Sequence, residues 1–78
     1  MTDIKETVIS IIKKTCLPNT PTLDDHDRPL LESGLDSLDY ATTLLELEDS
    51  FSVKISNEDM DSLHTINEIV GFIKSEQS

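Results

Sequence analysis

The sequence predicts a small all-α bundle of three main helices plus one short helix, with a long first loop. Two observations predict it. Apolar residues recur at three- and four-residue spacing in three separate stretches, and each stretch opens on a side chain suited to cap a helix. Only Phe51-Ser52-Val53-Lys54-Ile55 alternates in the manner of a strand, and it is too short and too isolated to make a sheet. With 78 residues there is room for a single domain, residues 1–78.

The elements follow in chain order. Ile4, Val8, Ile11 and Ile12 carry the first helical stripe, with Asp3 placed to cap it and Pro18 to bound it. From Leu17 to Leu35 no period holds, and Pro18, Pro21, Pro29, Gly34 and a set of acids make a long loop. Leu23, Leu30, Leu31 and Leu35 are expected to pin that loop to the core. Periodicity resumes from Ser37 to about Phe51, where Tyr40, Leu44, Leu47 and Phe51 share one face. A short turn of helix is expected at Asn57–Asp61, capped by Ser56. Thr65 and Glu68 have the spacing of a capping box ahead of Ile66, Ile69, Val70 and Ile73, the stripe of the last helix.

Charge and size exclude several classes of function. Sixteen acidic residues against six basic give a formal net charge of −10. Such a surface repels phosphate backbones and anionic lipid, and attracts a basic patch on another protein. A domain this small can hardly enclose a substrate pocket and also support a catalytic site, which argues against an enzyme. Cys16 is the only cysteine, so no internal disulfide forms, and no apolar run is long enough for a signal peptide or a spanning helix. A cytoplasmic monomer without nucleic-acid or membrane partners is expected.

The second helix has more apolar surface than a small core can cover. Leu38, Ala41 and Leu45 lie about 120° around it from the Tyr40 stripe. Asp39, Glu48 and Asp49 flank them, and no basic residue stands between Pro29 and Val53. Apolar side chains bordered by charges of one sign describe a docking surface; the same leucines would also fit beneath the long loop. At the head of this helix Asp36 is the natural cap. Ser37 then becomes the first helical residue, exposed and near unpaired N–H groups that welcome an anion. Taken locally, these residues also describe a plain helix start.

Gly34-Leu35-Asp36-Ser37-Leu38-Asp39 resembles the phosphopantetheine attachment motif of acyl carrier proteins. The likeness continues through Leu44-Leu45-Glu46-Leu47-Glu48-Asp49-Ser50-Phe51 and Ile55, and chain length, acidity, long loop and Thr65-capped last helix agree with it. The resemblance implies that a phosphopantetheinyl transferase moves 4′-phosphopantetheine from coenzyme A to Ser37, and that the arm then carries acyl groups as thioesters. It implies that Asp36, Leu38, Asp39, Ala41, Leu45, Glu48 and Asp49 face partner enzymes with basic docking patches, which load and process the acyl group. Thr42 replaces the family's usual glutamate, Ala41 its usual valine, and Asn57 an acid. These departures point to a specialised lipid or polyketide-type pathway over housekeeping fatty-acid synthesis, and an aminoacyl cargo shares the same motif.

Two readings of other classes compete. Asn57, Asp59, Asp61 and Glu68 occupy positions one, three, five and twelve of an EF-hand calcium loop, but Ser62 stands where the turn requires glycine. A serine hydrolase would use Ser37 with His26 or His64, but Gly-x-Ser-x-Gly is absent and the chain is short of scaffold for an oxyanion hole.

Overall fold

The computed structural model describes residues 3–17 and 21–77. Among them α1 spans Ile4–Cys16, α2 Ser37–Phe51, α3 Asn57–Ser62 and α4 Ile66–Gln77, with a 3-10 turn at Leu30–Glu32 and no strand. The fold is all-α, with three main helices and one short one. Pro18, expected to end α1, lies outside the described residues.

Each helix begins where a side-chain oxygen can take an otherwise unpaired amide. Asp3 accepts from Lys5 N–H at 3.0 Å, and Lys13 and Lys14 complement the dipole in the last turn of α1. Ser56 and Asp59 form a full capping box on α3, and Thr65 and Glu68 one on α4. At the other end of α2, Ser52 takes the left-handed conformation (φ 54°), and its N–H and that of Val53 close on Glu48 C=O. That reversal breaks the strand-like alternation of Phe51–Ile55. The Glu48 carboxylate then reaches across the turn to accept Ile55 N–H at 3.2 Å.

α1 packs against both α2 and α4. Val8, Ile11, Ile12 and Cys16 meet Leu44 and Leu47 of α2 and Ile66, Ile69, Val70 and Ile73 of α4 in one buried cluster. α1 and α2 run antiparallel. Thr15, near the end of α1, meets Thr43 in the first half of α2, whereas Glu6, Thr7 and Ser10 line a surface hollow with Ser50. The Thr15 and Thr43 hydroxyls lie 2.7 Å apart, and Thr15 also donates to Ile12 C=O at 3.1 Å. The two hydroxyls share one hydrogen bond, which satisfies the wholly buried Thr43.

The long loop is tied down by its own backbone. Leu30 N–H donates to His64 C=O at 2.8 Å, Asn67 N–H to His26 C=O at 3.1 Å, and Asn67 Nδ2 to Asp27 Oδ1 at 2.7 Å. Leu23, Leu30 and Leu35 enter the core as expected, but Leu31 does not and is 51% exposed. The 3-10 turn is the reason. At about three residues per turn, adjacent side chains diverge by roughly 120°, so an inward Leu30 sends Leu31 outward.

The calcium-loop reading is overturned by α3. Asn57, Asp59 and Asp61 are successive odd positions of a helix, so neighbouring pairs project about 200° apart and cannot converge on one ion. Asp59 caps α3, and the Glu68 carboxylate accepts from Thr65 and His64 N–H.

α3 itself buries no side chain fully. It is held between buried Ile55 and Leu63 and by Tyr40, whose hydroxyl donates to Met60 C=O at 2.9 Å and to Leu63 C=O. Burial first, then the charges of Glu68 and Asp61, raise the Tyr40 pKa above its ordinary value. A raised pKa means the neutral phenol is favoured by folding, so its contribution is complete below the unfolded value near pH 10 and is lost as pH rises through the folded one. Tyr40→Phe should cost about 1–2 kcal/mol at neutral pH and should flatten the alkaline loss of stability, as denaturant melts across the pH range would show. Gly71 sits within α4, where an added Cβ meets nothing within 4 Å, so Gly71→Ala should stabilise the chain by about 0.5–1 kcal/mol.

Candidate functional site

The entry into α2 is set by a sequence of short-range constraints. Ser33 N–H donates to Leu30 C=O at 3.0 Å and its hydroxyl to Pro29 C=O at 3.1 Å, closing the 3-10 turn. Gly34 follows at φ +117°, where an added Cβ would come within 3.2 Å of the Pro21 backbone. Glycine is required there both by conformation and by space. Leu35 then turns inward and is 3% exposed, anchoring the chain one residue before the helix cap.

Asp36 is extended (φ −92°, ψ 179°), and its carboxylate accepts Asp39 N–H at 2.8 Å, while its carbonyl takes Tyr40 N–H at 3.0 Å. The alternation of Leu35 in and Asp36 out leaves Ser37 as the first helical residue, exposed. Because Asp36 closes the first turn, the Ser37 hydroxyl is not needed for it. The remaining first-turn N–H groups and the helix dipole favour a negative group at this point, against the charges of Asp36 and Asp39. Those charges are felt nearby: the Cys16 thiol is raised by burial first and next by Asp39, with a Thr15 hydrogen bond opposing and Asp36 adding less.

Along α2 the two stripes separate cleanly. Thr43, Leu44 and Leu47 are buried, with Tyr40 and Phe51 half-buried beside them. Leu38 is 74% exposed and Leu45 58%, and Ala41 and Asp49 are exposed with them. The loop therefore does not cover the second stripe. Asp39 and Glu48 are half-buried, and Glu48 spends its carboxylate on Ile55 N–H, a structural duty that the helical pattern alone did not reveal. Two other residues escaped the pattern. Thr43 is a polar residue on a face chosen by its apolar members, and Leu31 is a leucine turned out by a 3-10 turn that has too few residues to show a period.

Ser37 does not read as a hydrolytic nucleophile. Such a serine needs a base within hydrogen-bond reach and aligned donors for an oxyanion. Among the described residues the carboxylate next to it is engaged by Asp39 N–H, and no hydrogen bond joins the Ser37 hydroxyl to His26 or His64. What the arrangement offers is an accessible hydroxyl on a rigid helix end, beside an apolar stripe edged with acids.

Comparison with known proteins bears on this arrangement. Residues 4–73 match the family profile described as "Phosphopantetheine attachment site". The chain is similar to the acyl carrier protein of Syntrophus aciditrophicus (strain SB), with 33% identity over 66 residues, covering 85% of this chain and 74% of that protein. It is also similar to the acyl carrier protein of Lactobacillus johnsonii, with 40% identity over 43 residues, covering 55% of this chain and 54% of that protein.

The separation of the stripes is testable by stability alone. Leu47→Ala should cost about 2–5 kcal/mol, as a fully buried truncation does, and Leu45→Ala no more than about 0.5 kcal/mol. Thermal melts on the two variants decide it; an equal loss would place Leu45 in the core.

Proposed function

Because the chain belongs to the acyl carrier protein family, we propose that Ser37 is the residue to which its phosphopantetheine is joined, and that the outer stripe of α2 is where enzymes dock to use it. The family's 4′-phosphopantetheine is held covalently. When bound, the group supplies a flexible arm ending in a thiol that holds acyl groups as thioesters. The observation that carries the assignment is the exposure of Ser37 at a helix end already capped by Asp36. Esterification there consumes no hydrogen bond of the fold. A phosphoryl group on Ser37 Oγ also meets the positive end of the helix dipole.

The roles of the neighbours follow from their exposure. Leu38, Ala41 and Leu45 supply apolar contact; Asp36, Asp39, Glu48 and Asp49 supply charge that attracts a basic surface and orients it. Carrier proteins of this kind interact with a phosphopantetheinyl transferase and with acyl-processing enzymes. Ser37 Oγ attacks the pantetheine-bearing phosphorus of coenzyme A, gives its proton to the transferase and becomes the ester oxygen as the pyrophosphate P–O bond breaks and adenosine 3′,5′-bisphosphate leaves; the chain performs no catalysis itself. Residues 1–78 act as one carrier domain, as a monomer in the cytoplasm. Among the described residues no helix is long and apolar enough to cross a membrane. Thr42, Ala41 and Asn57, where the family usually has glutamate, valine and an acid, favour a specialised lipid or polyketide-type pathway.

Incubation with coenzyme A and a broad-specificity transferase should add the mass of one phosphopantetheine to the wild-type chain and none to Ser37→Ala, which should keep its melting temperature. A modified alanine variant would move the site elsewhere. Asp49 is the cleaner probe of charge, since Glu48 also serves the fold. Asp49→Lys should slow loading with no loss of stability, and added salt should slow the wild-type reaction as screening weakens the attraction.

A further inference from the structure

The exposed Leu31 has no part in the core and lies outside the helix on which docking is expected. We infer that Leu31, carried by the 3-10 turn, is a second apolar contact for the transferase that modifies Ser37, so that the enzyme reads the loop as well as α2. This rests on the assignment of Ser37. The 3-10 turn packs against α2, and Leu35 N–H bonds back to Leu30 C=O at 3.4 Å, closing the turn. With that turn closed, standard backbone dimensions hold the Leu31 Cα within roughly 15 Å of Ser37. Specific interfaces cover about 800 Å² on each partner, a patch whose edge lies roughly 16 Å from its centre. A transferase footprint centred on the Ser37 hydroxyl and extending over the loop side of α2 is wide enough to span that distance to Leu31.

Downstream in sequence its neighbours resemble those of the α2 stripe, and the nearest cation along the chain is Arg28, three residues upstream. Leu31 is 51% exposed against 58% for Leu45, and Glu32, next to it, is an exposed acid. From Leu30 to Ser52 no residue is basic. The same partner chemistry suits both places: an apolar hollow edged with lysine or arginine, the charge complement of this surface. The fold gains little from leaving a leucine in water here, since Leu30 and Leu35 already anchor the turn.

The test is transferase kinetics with coenzyme A on the full chain, comparing wild type with Leu31→Ala and Leu31→Lys, alongside thermal melts. Leu31→Ala should raise KM for the carrier roughly tenfold, the loss expected when a leucine side chain no longer becomes buried, with kcat and melting temperature close to wild type. Leu31→Lys should raise KM further, because it places a cation against the partner's basic rim. If wild type loads and both variants load with unchanged KM, the inference falls while the Ser37 assignment stands. A melting temperature lowered as far as in Leu30→Ala would make Leu31 a structural residue and overturn it equally. A wild-type chain that gains no mass would sink the assignment underneath and this contact with it.

Discussion

The hydrogen bond from the Asp39 amide to the Asp36 carboxylate, 2.8 Å long, fixes where α2 begins and therefore which side chain stands at its head. Moving that start by one residue would rotate every side chain of the helix by about 100° relative to the loop that feeds it. Leu35 would leave the core, and Ser37 would become the cap or turn inward. The constraint is reinforced from upstream. Gly34 must adopt φ +117° against Pro21, and the 3-10 turn must close on Leu30, before Leu35 can enter its place. The exposed Ser37 is thus positioned by neighbours that are all tightly specified.

A domain of this size has few contacts to spare, and several polar groups serve as staples where apolar packing ends. Tyr40 ties α2 to the C-terminal carbonyls of α3, which buries no side chain of its own. Thr15 and Thr43 join α1 to α2 through a paired hydroxyl contact, and Asn67 holds the long loop to α4. Glu48 edges the outer stripe and also satisfies Ile55 N–H. Charge on this face cannot be altered at will without touching the fold, which is why Asp49 and Glu48 are not equivalent.

The helices were legible because their apolar spacing and their capping side chains agree. Asp3, Asp36, Ser56 and Thr65 each cap the helix expected of them, and the second stripe of α2 is as exposed as its surplus implied. What the sequence hid were features without a period. The 3-10 turn is too short to show one, so Leu31 read as a core residue. Thr43 is buried because a hydroxyl on another helix meets it, a contact between residues 28 apart in sequence. The spaced acids of α3 fit a calcium loop on paper, and only the helical path through Asn57–Ser62 shows that their oxygens diverge. Ser37 stands out in the sequence by its place between a capping aspartate and an exposed leucine, and the family resemblance supplies the chemistry proposed for it.

The central claim is that the first turn of α2 is complete without Ser37, so that the serine can be esterified at no cost to the helix. Amide exchange and chemical shifts of Asp39, measured by NMR before and after phosphopantetheine is attached, test it directly. The Asp39 amide should be equally protected in both forms, with changes confined to Ser37 and its exposed neighbours. Loss of protection at Asp39 on modification would show that the serine hydroxyl had been part of the cap, and would contradict the account.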